Sequence, residues 1–278
     1  MQLQNYPSIH GYKVESVFKD TNSSLLFQVY DSDDQLRLIK VAKNHEENNE
    51  HVILPKFNHA NILSVVQVFE NPTAMMLPFI HSRSLNEYLK DTAPTFEILK
   101  GLFLQLIEGV EYIHAMGFLH GDIRCENILM DFKHHLTIID FAHASPIQNP
   151  RQKITTNTSL ELLAPEIQKD ALWSIQSDIY GLGMVLDTLI SHCTDKESIP
   201  PHWYKVCLDC RSPDPQDRPA GIRGLKNKLH SPSEQSELFD IPKYIGIEPE
   251  NTIVDRKWIF LGGLMIFVGI FLGLIIAS

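Results

Sequence analysis

From residue 12 to residue 79, short apolar runs rich in β-branched and aromatic side chains alternate with polar positions at a period near two. The runs at 12–17, 25–30, 36–41, 65–69 and 74–79 read as strands, and 46–57 reads as a helix between the third and fourth. A five-stranded antiparallel sheet with one helix is the expected product. After Ser84 the period lengthens to that of a helix, most clearly over 95–116, where Ile98, Leu102, Phe103, Leu106, Val110 and Ile113 share one face. Pro94-Thr95 marks the start of that helix and Gly117 its stop. The pattern predicts an α+β domain over 12–230 in two lobes, a small sheet lobe at 12–79 and a larger, mainly helical lobe at 80–230. Residues 1–11 read as a leader and 231–257 as a linker, rich in Ser, Pro and Glu over its first part.

A different pattern occupies 258–278, where 21 residues carry no charge. As a helix they span about 31 Å at 1.5 Å per residue, enough to cross a bilayer core. Arg256 and Lys257 precede the run and Trp258 stands at its edge, the arrangement of a cytoplasmic flank and an interfacial anchor. The expectation is one transmembrane helix acting as a tail anchor, with the folded domain in the cytosol. Gly269 and Gly273, at G-x-x-x-G spacing, leave open a homodimer through that helix.

Composition narrows the classes. The chain has 278 residues, 44% hydrophobic and 21% charged, so it can bury a sizeable core. A formal net charge of −10 argues against a nucleic-acid partner, which needs a cationic surface. The polar first residues predict no secretory leader, and four scattered cysteines suit a reducing compartment. Cys207 and Cys210 have C-x-x-C spacing but lack a second pair, and read as one amphipathic helix rather than a zinc site. His134 and His135 read as a solvated turn between two strands.

Chemistry concentrates in four short motifs, met in order. His120-Gly121-Asp122 is followed by Asn127, then come Asp140-Phe141-Ala142 and Ala164-Pro165-Glu166. A carboxylate for a substrate hydroxyl, and an amide oxygen with a second carboxylate for a hard cation, are the parts that phosphoryl transfer requires. Upstream stand Leu38-Ile39-Lys40 and, ten residues later, Glu50; downstream stand Asp178-Ile179-Tyr180-Gly181 and Asp217-Arg218-Pro219.

Together these motifs resemble the eukaryotic-type serine/threonine protein kinase family, over nearly the whole of 12–230. The resemblance implies a bilobal kinase fold, ATP with Mg²⁺ or Mn²⁺ as cofactors and proteins as substrates. It implies that Asp122 takes the hydroxyl proton, that Arg124 stands where the family has a lysine facing the transferred phosphate, and that Asn127 and Asp140 hold the metal. Lys40 would contact the α- and β-phosphates, paired with Glu50; Glu46 and Glu47 are the alternatives for that pairing. Asp178 would brace the loop that carries Asp122, and Glu166 would pair with Arg218, a feature that disfavours a small-molecule phosphotransferase.

The sequence also departs from that family. Its glycine-rich phosphate loop aligns with 22–28, which has no glycine; Ser23 and Ser24 are the small hydroxyl donors left to bind phosphate, so ATP affinity should be weakened or lost. Gly121 replaces an arginine that receives a phosphorylated activation segment, which predicts constitutive activity or another form of control. Ala142 replaces a glycine. Thr155, Thr156, Thr158 and Ser159 are candidate segment hydroxyls, with Ser159 tipping the substrate class towards serine and threonine. The stretch 191–200 is brief where the family inserts a docking helix. Two readings of function remain open, a membrane-anchored serine/threonine kinase and a pseudokinase scaffold.

Overall fold

A computed structural model of the chain describes residues 8–43, 49–151 and 162–230. Six antiparallel strands come first: β1 (Ser8–Ile9), β2 (Tyr12–Asp20), β3 (Ser24–Tyr30), β4 (Leu36–Ala42), β5 (Gln67–Glu70) and β6 (Thr73–Pro78), in the order β1-β2-β3-β4-β6-β5. Alternation sends Leu25, Phe27, Val29 and Ile39 into a core shared with Val14, Ala74 and Met76. Each of these side chains larger than alanine contributes about 1.5–3 kcal/mol when fully buried. Leu26, Leu38 and Lys40 therefore point to the opposite face, and Lys40 shows where that face looks, because its ammonium meets Glu50 and Asp140.

The sheet has one strand more than the hydrophobic pattern predicts. His10 and Gly11, at φ 49° and 83°, form a two-residue turn with the backbone that tight hairpins favour, and Ile9 pairs with Tyr12. Two residues are too short a strand to show periodicity, so β1 lies inside the stretch expected to be a leader. The helix expected at 46–57 is also shorter in its described part. Helix α1 (Glu50–Ile53) gives way to a 3₁₀ turn at Leu54–Lys56, where Pro55 lacks the N–H that a continuing helix would use.

The second part contains β7 (Ser82–Ser84), α2 (Leu85–Asp91), α3 (Phe96–Ala115), β8 (Phe118–Leu119), β9 (Ile128–Asp131), β10 (Leu136–Ile138), β11 (Ser145–Pro146), α4 (Pro165–Asp170), α5 (Ile175–His192), α6 (Pro201–Cys210) and α7 (Gly221–His230). Helix α3 buries Leu99, Leu102, Phe103, Leu106, Ile107, Val110 and Ile113; Leu99 takes the place expected for Ile98, which is only partly covered. The Trp203 ring of α6 packs edge-on against Phe96 and Phe103 of α3. Two small ladders, β10-β9-β7 and β11-β8, then fix the loops between them. Ile139 N–H donates to the Asn127 carbonyl at 2.9 Å and Ile147 N–H to that of Gly117 at 2.9 Å, which sets residues 120–127 and 139–147 side by side.

Cys207 and Cys210 are buried free thiols on α6; burial pushes the Cys207 thiol up to about 12 and raises the Cys210 thiol as well, which keeps both protonated. His134 and His135 sit in a turn closed by the Asp131 carboxylate, which accepts from the N–H groups of Lys133 and His135. Among the described residues no helix is long and apolar enough to cross a membrane. The apolar run at 258–278, the linker, Glu46, Glu47 and the hydroxyls at 155–159 lie outside the described residues.

Candidate active site

The floor of the site rests on α5. Ser174 and Ser177 form a reciprocal cap at its start, and Asp178 in its first turn is buried beneath the loop that carries Asp122. The Asp178 carboxylate accepts the N–H of His120 at 2.9 Å, the N–H of Gly121 at 2.9 Å and a hydrogen bond from His114 Nε2 at 2.8 Å. Burial opposes its ionisation, but the His114 hydrogen bond and nearby charge outweigh that and hold it below the ordinary carboxylate range. Nothing in the spacing of the chain marks His114; only the fold brings it to Asp178.

Around that brace the loop is closely determined. His120 Nδ1 accepts the Asp122 N–H at 3.2 Å, which leaves Nε2–H to donate to the Ile139 carbonyl at 3.2 Å, while the ring packs edge-on against Phe141. Trp173 donates its indole N–H to the Gly121 carbonyl at 3.4 Å. Gly121 has φ +78°, and a β-carbon there would lie 2.7 Å from the His143 carbonyl oxygen. Glycine is the residue this contact requires, and the arginine of the family would not fit this backbone.

Asn127 then completes the floor. Its amide nitrogen donates to the Asp122 carbonyl at 3.0 Å and to the Asp122 carboxylate at 2.7 Å, leaving the amide oxygen as an acceptor for a cation. Arg124 donates to Glu126 at 2.9 Å; burial opposes its charge, but that bond and Asp122 nearby raise its pKa further.

Lys40 and Glu50 meet above this floor. Lys40 Nζ lies 2.6 Å from Glu50 Oε2 and 3.2 Å from Asp140 Oδ1. The other oxygen of buried Glu50 accepts the Phe141 N–H at 3.2 Å, so a single glutamate holds both the lysine and the turn that carries Asp140. Burial alone would lower the Lys40 pKa, yet the two carboxylates reverse this and raise it above the usual lysine value. Asp140 is shifted the other way, with burial opposing its charge and Lys40 restoring it. Its backbone is left-handed at φ 64°, a conformation costly for a side chain other than glycine and held here by its anchored neighbours. His143, which no motif of the chain marks, stands in the same group; burial lowers its pKa, against the pull of Asp122.

These groups suit a nucleotide with a hard divalent cation. Asp140 and Asn127 offer two oxygen donors from adjoining loops, the number of protein ligands Mg²⁺ takes when phosphates supply the rest. Among the described residues no cluster of three or more His, Cys, Asp or Glu forms a metal cage.

Beside the floor, Arg218 is fully buried and donates to both Glu166 oxygens at 2.8 Å, and also to the carbonyls of Ser212 and Gln176. Its guanidinium lies 4.9 Å from the Tyr180 ring centre. The roof has a different construction. Between β2 and β3 the Thr21 hydroxyl donates to the Ser24 carbonyl and accepts the Ser24 N–H, both at 3.0 Å, and lies 3.3 Å from the Ser23 hydroxyl. Ser24 is buried, its hydroxyl 3.2 Å from that of Thr21 and engaged within its own turn, whereas Ser23, the other serine expected to face phosphate, is exposed.

Residues 25–219 match the family described as Protein kinase domain. The chain is 28% identical over 162 residues to serine/threonine-protein kinase PLK4 of Xenopus laevis, covering 56% of this chain and 17% of that protein. It is 25% identical over 174 residues to the probable serine/threonine-protein kinase PknB of Lactococcus lactis, covering 57% and 27%. With the serine/threonine-protein kinase US3 homolog of Equine herpesvirus 1 it shares 25% identity over 207 residues, covering 71% and 54%. The chain thus spans less than a third of the first two relatives and about half of the third.

Proposed function

This chain belongs to the protein kinase family, and on that premise we propose that it transfers the γ-phosphate of ATP to serine or threonine hydroxyls of protein substrates. One observation carries the reading: Glu50 holds Lys40 and the Phe141 N–H at once, so the phosphate-binding lysine and the metal-binding turn are assembled beside Asp122 and Asn127. Asp122 takes the proton of the acceptor hydroxyl as its oxygen bonds to phosphorus and the bond to the departing ADP breaks. Asn127 holds Asp122 in place and, with Asp140, would hold Mg²⁺ or Mn²⁺, which when bound neutralises charge on the phosphates. Lys40 neutralises the α- and β-phosphates, and Arg124 faces the transferred group.

The reading extends to location. The 21 uncharged residues at 258–278 and the Arg256-Lys257 flank support a membrane helix with the kinase domain on the cytosolic side, and the glycines at 269 and 273 stand at a spacing that would admit, without requiring, a dimer through that helix. A pseudokinase that keeps the fold without turnover is the second reading. The self-engaged turn between β2 and β3 favours it, because that turn offers phosphate no glycine backbone.

The deciding test compares two substitutions in the full-length protein. Asp122→Asn is expected to lower transfer of labelled phosphate by about 10²–10⁴ while Mg²⁺-dependent nucleotide binding persists. Asp140→Asn is expected to weaken both. Equal transfer by Asp122→Asn and wild type would refute the assigned base, and binding without any transfer would select the pseudokinase. Carbonate extraction of membranes tests the anchor: full-length protein should stay with the lipid, and a chain lacking 258–278 should be released.

A further inference from the structure

The roof carries a feature that its missing glycines conceal. The β2–β3 ladder shifts register between Val17, which pairs with Phe27, and Lys19, which pairs with Leu26. Phe18 is the extra residue of a bulge, so Phe18 and Lys19 stand together opposite Leu26. Leu26 pairs with Lys40, and Lys40 with Met75. Cross-strand partners share a face, and the face of this row is the one from which Lys40 reaches Glu50 and Asp140. Lys19 therefore stands on the roof of the nucleotide cleft two strands from Lys40, about 10 Å away at the usual strand spacing.

The surroundings leave that cation available. Lys19 is exposed, and among the described residues its ammonium has no ion pair. The neighbouring acid, Asp20, is neutralised by Lys43, which also donates to the Thr21 carbonyl at 2.6 Å. Phe18 is half exposed, and its ring meets Phe79, beyond the end of β6, at 5.7 Å edge to face. Phe79 in turn meets His81 at 5.1 Å. Side by side, the bulge presents a cation towards Lys40 and an aromatic wall towards the segment that joins the two lobes.

We propose that the Phe18–Lys19 bulge is a nucleotide-binding element, with Lys19 contacting phosphate oxygens and Phe18 lining the place of the base. The proposal rests on ATP as the ligand. Where β-carbons keep the backbone of the turn away from phosphate, a long side chain spans the gap, and a compact ammonium supplies the charge that backbone amides would otherwise provide.

Calorimetric titration of the full-length protein with Mg·ATP and, separately, with adenosine tests this. Lys19→Ala should weaken Mg·ATP binding roughly tenfold, the factor for one charge-assisted hydrogen bond, and leave adenosine binding within about twofold. Lys19→Arg should retain most of the affinity and Lys19→Glu should lose more than Lys19→Ala. Phe18→Ala should weaken both ligands alike. In turnover, Lys19→Ala should raise KM for ATP with little change in kcat. Mg·ATP affinity unchanged in Lys19→Ala, or equal losses for ATP and adenosine, overturns the proposal. A wild type that binds Mg·ATP without transferring phosphate sinks the kinase reading alone, since the Lys19 comparison is still read from binding. A wild type with no measurable Mg·ATP binding overturns both.

Discussion

The loop that carries Asp122 and the turn between β2 and β3 are held by opposite means. Beneath the first lie a buried carboxylate, a histidine and a helix start; Asp178 alone fixes two backbone N–H groups and one imidazole. The second is an exposed hairpin end tied by the hydroxyl of Thr21 and by Lys43 at its surface. The difference follows from what each must do. Aligning a base and a cation requires atoms fixed to fractions of an ångström, which buried and fully bonded groups supply. Covering a polyphosphate, the role proposed for the second, would require only charge within reach, which several side-chain arrangements can provide.

From that contrast, substitutions in the floor are expected to cost far more than substitutions in the roof. The largest effect is expected at Arg218, whose fully buried guanidinium is bidentate with Glu166. Arg218→Ala should lose about 3–5 kcal/mol in urea unfolding, and Arg218→Ala combined with Glu166→Gln should lose less than the sum. A loss below about 0.5 kcal/mol, the scale of surface changes, would break the comparison at its strongest point.

Asp178 gives an intermediate effect with a pH signature. Its folded pKa is depressed, so its stabilisation is complete above the unfolded carboxylate value of about 3.9 and disappears as pH falls through the lower folded value. Asp178→Asn should cost about 1–3 kcal/mol at neutral pH. Between pH 5 and pH 3 (roughly the window set by that unfolded value), wild type should lose stability more steeply than the variant. Parallel pH profiles would show that the brace does not depend on charge.

The smallest effect belongs to the roof. Thr21→Ala removes the hydroxyl that links the turn to Ser24 and should cost about 0.5–1.5 kcal/mol with transfer activity largely kept. A loss in chemical denaturation as large as that of Arg218→Ala would mean that the turn is as tightly built as the floor.

Where the chain records local regularity, its sequence is an accurate guide. Helix α3 runs from Phe96 to Ala115 within the predicted 95–116, because its apolar stripe and flanking Pro94 and Gly117 act over single turns. The strands of the sheet lobe beyond β1 follow for the same reason, as period-two alternation states which side of a residue is buried. Pro55 is visible as a breaker too, although the helical composition around it conceals how short α1 becomes.

What the sequence determined by itself is the list of parts: the apolar periodicity, Lys40, Asp122, Asn127, Asp140, Asp178, Glu166 and Arg218, each marked by its neighbours in the chain, with Glu50 one of three candidate partners for Lys40 until the fold paired them. What only the tertiary structure decided is how distant parts act on one another. His114 reaches Asp178 across 64 positions, Glu50 holds the Phe141 N–H across 91, and the His143 carbonyl leaves no room for a β-carbon at Gly121. The bulge that brings Phe18 and Lys19 to the face of Lys40 is set by strand register. These relations depend on distances between segments, and side-chain periodicity carries no information about a partner that belongs to another segment.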